Sequence, residues 1–103
     1  MSFWSALFSM FPNPGGDHDE LATLVLVTFK QWVEVLQEGD VPGSKEKAAE
    51  ELRNFLTLKG VNENQRYFER TSKIRALKRA CRDSDPEVRR WAGALLRRNY
   101  LGC

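Results

Sequence analysis

The stretch Asp83-Ser84-Asp85-Pro86-Glu87-Val88-Arg89-Arg90-Trp91-Ala92 reads as a turn that runs directly into an amphipathic helix. Asp85 is placed to cap the helix with its carboxylate. Pro86 suits the first helical position, where its missing N–H is not needed, and Glu87 complements the positive helix end. From there Val88, Trp91, Ala92, Leu95 and Leu96 keep a helical spacing, while Arg89, Arg90, Arg97 and Arg98 fall on the remaining arc. One face is built for burial and the other for water or an anion. A helix is expected over 85–99.

Working upstream, Asn62 and Gln65 have capping-box spacing and open a helix expected over 62–82, with Tyr67, Thr71, Ile74, Leu77 or Lys78, and Cys81 on the inward period. Gly39 to Ser44 is a turn. Ser44 is placed to cap a helix that Gly60 stops, expected over 44–59, with Ala48, Leu52, Phe55 and Leu56 inward. Asp17 and Glu20 repeat the capping spacing ahead of a long apolar segment, expected as a helix over 17–38. Its run Leu24-Val25-Leu26-Val27-Thr28-Phe29 has strand-like composition, but the segment is long and unbroken by Gly or Pro before Gly39. Leu21, Leu24, Val25, Thr28, Trp32, Val35 and Leu36 form its inward stripe. Apolar residues on its other faces make it the helix expected to be most buried.

The first eleven residues carry no charge and gather Phe3, Trp4, Leu7, Phe8 and Phe11 on one side of a short helix, which the linker at residues 12–16 ends. Such a helix either folds back over an apolar edge of the domain or docks on a membrane surface or a partner's groove. Membrane-surface helices usually carry Lys or Arg on the polar face, which favours the first reading. The expectation is therefore one all-α domain over residues 1–103: four main helices as two antiparallel hairpins, HEAT-like or a compact bundle, plus the short N-terminal helix.

The hairpin around the opening stretch, about residues 70–99, resembles a HEAT-like repeat: a helix, a turn with Asp83 and Asp85, then Val88-Arg89 followed by Trp91, Ala92 and Leu95. The resemblance implies structural roles for Asp83, Asp85, Pro86 and Arg89 in supporting the turn. It also implies a scaffold that works through protein–protein contacts.

Charge is divided along the chain. Residues 1–65 hold five Lys/Arg against ten Asp/Glu, and residues 66–103 hold eleven against four, for a net +2. Such a division suits an anionic partner for the basic half, or attraction between the halves or between two copies. Arg75, Lys78, Arg79 and Arg82 lie on one side of the third helix, and Arg90, Arg97 and Arg98 on the outer arc of the fourth. If the arcs adjoin, they form a surface for phosphate, with Tyr100 as the aromatic to stack on a base.

Enzyme chemistry is not expected. The chain lacks a glycine-rich phosphate loop and a nucleophile beside a base, and its one histidine, His18, has no ligand cluster around it. No cofactor or metal is implied. Cys81 is expected in the core and Cys103 as an exposed thiol at a mobile chain end. With no apolar run of membrane-spanning length and no secretory signal at the N-terminus, a cytoplasmic location is expected. The reading is a small non-enzymatic interaction module acting through protein contacts or self-assembly. Its alternative is a nucleic-acid-binding subunit that uses the basic half.

Overall fold

The computed structural model describes Trp4, Leu7, residues 18–58 and residues 63–103. These form an all-α fold of four helices: α1 (His18–Glu38), α2 (Ser44–Arg53), α3 (Glu63–Ala80) and α4 (Pro86–Arg98). Helix α1 is the centre of the domain and packs against all of the others, while α3 also packs against α4. Asp17, Asn62 and the linker at 12–16, to which caps and a break were assigned, lie outside the described residues.

Along α1 the fully buried side chains are Leu21, Ala22, Val25, Phe29 and Val33, a line of mostly i,i+4 steps. The expected stripe is rotated from this line. Leu24 was assigned inward but is 44% exposed, and Val27 is 49% exposed. A helix apolar on several faces does not reveal which of them its neighbours will cover. On the outer side, the Thr23 and Thr28 hydroxyls donate back to the Asp19 and Leu24 carbonyls one turn earlier.

Helix α2 stops at Arg53 rather than running to residue 59. The Asn54 N–H donates to the Glu50 carbonyl, and the Phe55 N–H tightens to the Leu52 carbonyl. This turn drives Phe55 and Leu56 into the core. Phe55 meets Trp4 edge-on, with ring centroids 4.6 Å apart, and Phe29 at 5.1 Å. At the other end of α2 the cap is Gly43, held at φ 83, and no side chain caps the helix. Ser44 is instead its first residue, and its hydroxyl is buried without a partner among the described residues.

Trp4 answers one question the sequence left open. It is 0% exposed, its indole N–H donates to the Glu51 carbonyl over 3.1 Å, and Leu7 packs on the same core. Both residues belong to the core, which removes them from the docking segment. Phe3, Phe8 and Phe11 lie outside the described residues.

Helix α3 departs furthest from its expected face. Tyr67, assigned inward, is 73% exposed, whereas Phe68, Glu69, Ser72, Lys73, Ala76, Leu77 and Ala80 are buried. Three of these are polar, so apolar periodicity pointed elsewhere. Helix α4 buries Val88, Ala92, Leu95 and Leu96, with Trp91 half-buried beside them.

The chain beyond α4 is also ordered by identifiable contacts. The Leu101 N–H donates to the Leu96 carbonyl and the Tyr100 N–H to the Arg97 carbonyl, which puts Tyr100 in the left-handed region at φ 61. Cys103 is then joined by a disulfide to Cys81, with Cα atoms 6.0 Å apart. The expected mobile thiol is therefore a cross-link. Across a sequence separation of 22, closing such a loop stabilises the fold by about 3 kcal/mol in the chain-entropy picture.

Candidate functional site

The turn between α3 and α4 is held by its own polar groups. The Asp83 carboxylate accepts from the Asp85 N–H at 2.9 Å, and the Asp85 carboxylate accepts from the Glu87 N–H at 2.9 Å. Arg89 reaches back and donates to the carbonyls of Asp83 and Ser84 at 2.7 and 3.1 Å. The hairpin leaves these carbonyls without helical partners, and a guanidinium satisfies both. Lys30 of α1 ties the turn to the centre of the fold through Asp83, 2.7 Å away. Hydrogen bonding from Lys30, with the Asp85 N–H, holds the Asp83 carboxyl below its ordinary pKa. Asp83, Asp85, Pro86 and Arg89 are thus occupied in shaping the turn.

The two arginine arcs do not form one open basic surface. On α3, Arg75 and Arg79 both turn to Asp19 of α1, at 2.8 and 3.1 Å, and Arg79 also donates to the Thr23 hydroxyl at 2.9 Å. On α4, Arg90 pairs with Glu87 one turn earlier. The acidic first half of the chain therefore neutralises part of the basic half. These pairs are exposed, so each contributes little to stability, but they remove charge from the surface offered to a partner.

Other cations line two cavities. Lys78 and Arg82, with Arg79, surround the Cys81–Cys103 disulfide and line a cavity of about 500 Å³ with it. Arg98, from the last turn of α4, faces Arg53, from the last turn of α2, across a cleft of about 350 Å³. Leu56 and Leu95 line the same cleft, together with Asn54, Thr57 and Asn99. No carboxylate pairs with either arginine among the described residues. Each stands at the negative end of its helix, where a guanidinium is favoured. Arg97 is exposed next to Arg98.

Arg53 is the site residue that sequence reasoning missed. Nothing in its sequence neighbours signals that the helix ends there, with Phe55 and Leu56 turned into the core, or that Arg53 then lines a cleft with Arg98. Asn99 was likewise read only as the helix end, and its side-chain amide donates to the Leu95 carbonyl at 2.9 Å.

A further polar group lies inside the fold. Lys73 of α3 is fully buried against Glu69 at 2.8 Å, and its ammonium sits 5.4 Å from the Trp4 ring and 5.3 Å from the Phe55 ring. Burial is the largest influence on Lys73 and lowers its pKa, with Glu69 and then Glu51 acting in the opposite direction. Glu51 is itself paired with Lys47 at 3.1 Å. At 0% exposure Lys73 is enclosed in the core.

Among the described residues no group of His, Cys, Asp and Glu could hold a metal ion, and no helix is long and apolar enough to cross a membrane. The His18 side chain lies outside the described part. No family, curated protein or solved structure matches this chain.

Proposed function

We propose that this protein is a small non-enzymatic α-helical interaction module that binds an acidic segment of a protein partner at the Arg53–Arg98 cleft. The observation that carries this reading is the pair of arginines that line one cleft from the ends of two different helices, neither paired with a carboxylate among the described residues. Forked donors held on rigid helix ends suit bidentate carboxylate recognition, with the amides of Asn54 and Asn99 to complete it. The arginine-supported turn at Asp83 and Arg89 favours a HEAT-like hairpin, a scaffold suited to such contacts. A cytoplasmic setting belongs to the same proposal. The acidic segment comes from another chain or from a second copy.

A nucleic-acid reading draws on a separate observation, the wholly exposed ring of Tyr100 beside Arg97 and Arg98. It is the weaker one because Arg75 and Arg79 are already tied to Asp19.

Fluorescence anisotropy distinguishes the two. A labelled glutamate-rich peptide should bind the full chain at low ionic strength and lose at least about tenfold in affinity with Arg53→Glu and Arg98→Glu together. Tighter binding to single- or double-stranded oligonucleotides than to the peptide, with a steep salt dependence, would replace the proposal with the nucleic-acid reading. Peptide affinity unchanged by the double substitution would remove the cleft from either.

A further inference from the structure

We infer that the Cys81–Cys103 disulfide is a site of thiol–disulfide exchange whose co-substrate is a small anionic thiol. Three observations meet at this place. The cross-link lies at the surface, with Cys103 exposed and Cys81 half-buried. It lines an open cavity of about 500 Å³. Lys78, Arg79 and Arg82 line the same cavity, and among the described residues Arg79 alone of the three shares its charge with a carboxylate, that of Asp19. A thiol that carries carboxylates would be drawn to Lys78 and Arg82, whereas a neutral thiol would gain nothing from them.

The geometry also orders the steps. The incoming thiolate attacks the exposed Cys103 Sγ, a new sulfur–sulfur bond forms there, and the bond to Cys81 breaks. Cys81 leaves as a thiolate. The negative end of α3 opposes that charge, and the nearby cations of Lys78, Arg79 and Arg82 offset it, which makes Cys81 a better leaving group than an isolated thiol. A second thiolate then attacks the mixed disulfide, releasing the oxidised small-molecule disulfide and the Cys103 thiol. The protons of the two consumed thiols end on Cys81 and Cys103. Two electrons pass from the small thiols to the protein disulfide.

Exchange also has a structural consequence. The segment after α4 is held by the disulfide, by the backbone bonds at Tyr100 and Leu101, and by packing of Leu101 on the core. Without the cross-link, the segment keeps only the backbone bonds at Tyr100 and Leu101 and the packing of Leu101. Disulfides that survive in a reducing compartment are usually transient and redox-sensing, and an exposed pair among cations fits that behaviour.

The test uses the full oxidised chain and three probes: glutathione as the anionic thiol, 2-mercaptoethanol as neutral and cysteamine as cationic. Second-order rates are followed by mass spectrometry and normalised to thiolate concentration. Glutathione should react roughly 3- to 10-fold faster than 2-mercaptoethanol at low salt, and cysteamine more slowly than either. The advantage should vanish in high salt and in Lys78→Gln/Arg82→Gln, both exposed changes that leave the helical circular dichroism intact. The glutathione adduct should map to Cys103. Equal normalised rates for the three thiols, an adduct on Cys81, or two free thiols persisting after mild oxidation would each overturn the inference.

Discussion

The Lys73 ammonium lies 2.8 Å from a Glu69 carboxylate oxygen, one helical turn away, with the two side chains 0% and 1% exposed. Both charges are taken out of water, and the other Glu69 oxygen has no partner among the described residues. Desolvation of such a pair costs several kcal/mol, which the mutual attraction offsets only in part.

Breaking the pair from one side should therefore be worse than removing it. Lys73→Met, which leaves a buried carboxylate alone, should lower the unfolding free energy by about 3–5 kcal/mol. Lys73→Met/Glu69→Leu should be more stable than either single variant. Urea denaturation of the four proteins measures this, and a double variant less stable than Lys73→Met would refute the argument.

The same lysine makes stability depend on alkaline pH. Burial lowers its pKa from 10.5 in the folded protein, so on raising the pH the native state releases the proton before the unfolded chain does. Between the folded pKa and about 10.5 the unfolded state binds more protons, and stability rises with pH by linkage. The difference in unfolding free energy between the wild type and Lys73→Met should grow in the wild type's favour through that window.

Asp83 follows the same linkage at the acid end. Its carboxyl is held below 3.8 by Lys30 and the Asp85 N–H, so its contribution is fully present above about pH 4 and is lost as pH falls through the folded value. Asp83→Ala should cost about 1–2 kcal/mol at neutral pH, since it frees the Asp85 N–H and leaves Lys30 without its partner. The deficit should shrink towards pH 2, as thermal unfolding across that range would reveal.

Tyr100 sits at φ 61 with its ring 98% exposed. A left-handed conformation costs a non-glycine residue about 1 kcal/mol, and no packing of the ring compensates. Tyr100→Gly should accordingly stabilise the protein by about 0.5–1 kcal/mol, with the flexibility of glycine in the unfolded chain taking back part of the gain.

Two glycines should respond to alanine in opposite ways. A Cβ on Gly39 would come within 2.5 Å of the Ser44 hydroxyl and 2.6 Å of the Val35 carbonyl oxygen. The hydroxyl can rotate away, but the carbonyl accepts the Gly39 N–H at 2.8 Å and cannot. Gly39→Ala should destabilise by about 1–3 kcal/mol. Inside α4, a Cβ on Gly93 meets nothing within 4 Å, so Gly93→Ala should stabilise by about 0.5–1 kcal/mol through helix propensity. Melting temperatures of the two variants should move in opposite directions.

The fold was legible where a local signal was complete. Asp85-Pro86-Glu87 starts α4 as its residue types require, because a cap acts on backbone groups two residues away and needs no distant partner. The inward residues expected of the second helical segment, Ala48 and Leu52 within α2 and Phe55 and Leu56 in the turn that follows it, are all buried. Helix α3 was misread at Tyr67 because its core face carries Glu69, Ser72 and Lys73, and apolar periodicity cannot register a charge that is buried against its own partner. The arginines were visible as a group, but their availability was not. Asp19 lies 56 and 60 residues from Arg75 and Arg79, a pairing that only helix packing creates.

The chain by itself determined the all-α class, the turn at Asp83–Asp85 and the division of charge, since each follows from spacing and from interactions within a turn or two. Tertiary structure alone decided that Trp4 belongs to the core, that Arg53 meets Arg98 across a cleft, and that Cys103 finds Cys81. Each depends on which faces α1 brings together. That choice is made by the fit of large side chains such as Trp4, Phe29 and Phe55, a property of volume and shape in three dimensions that leaves no period in the sequence.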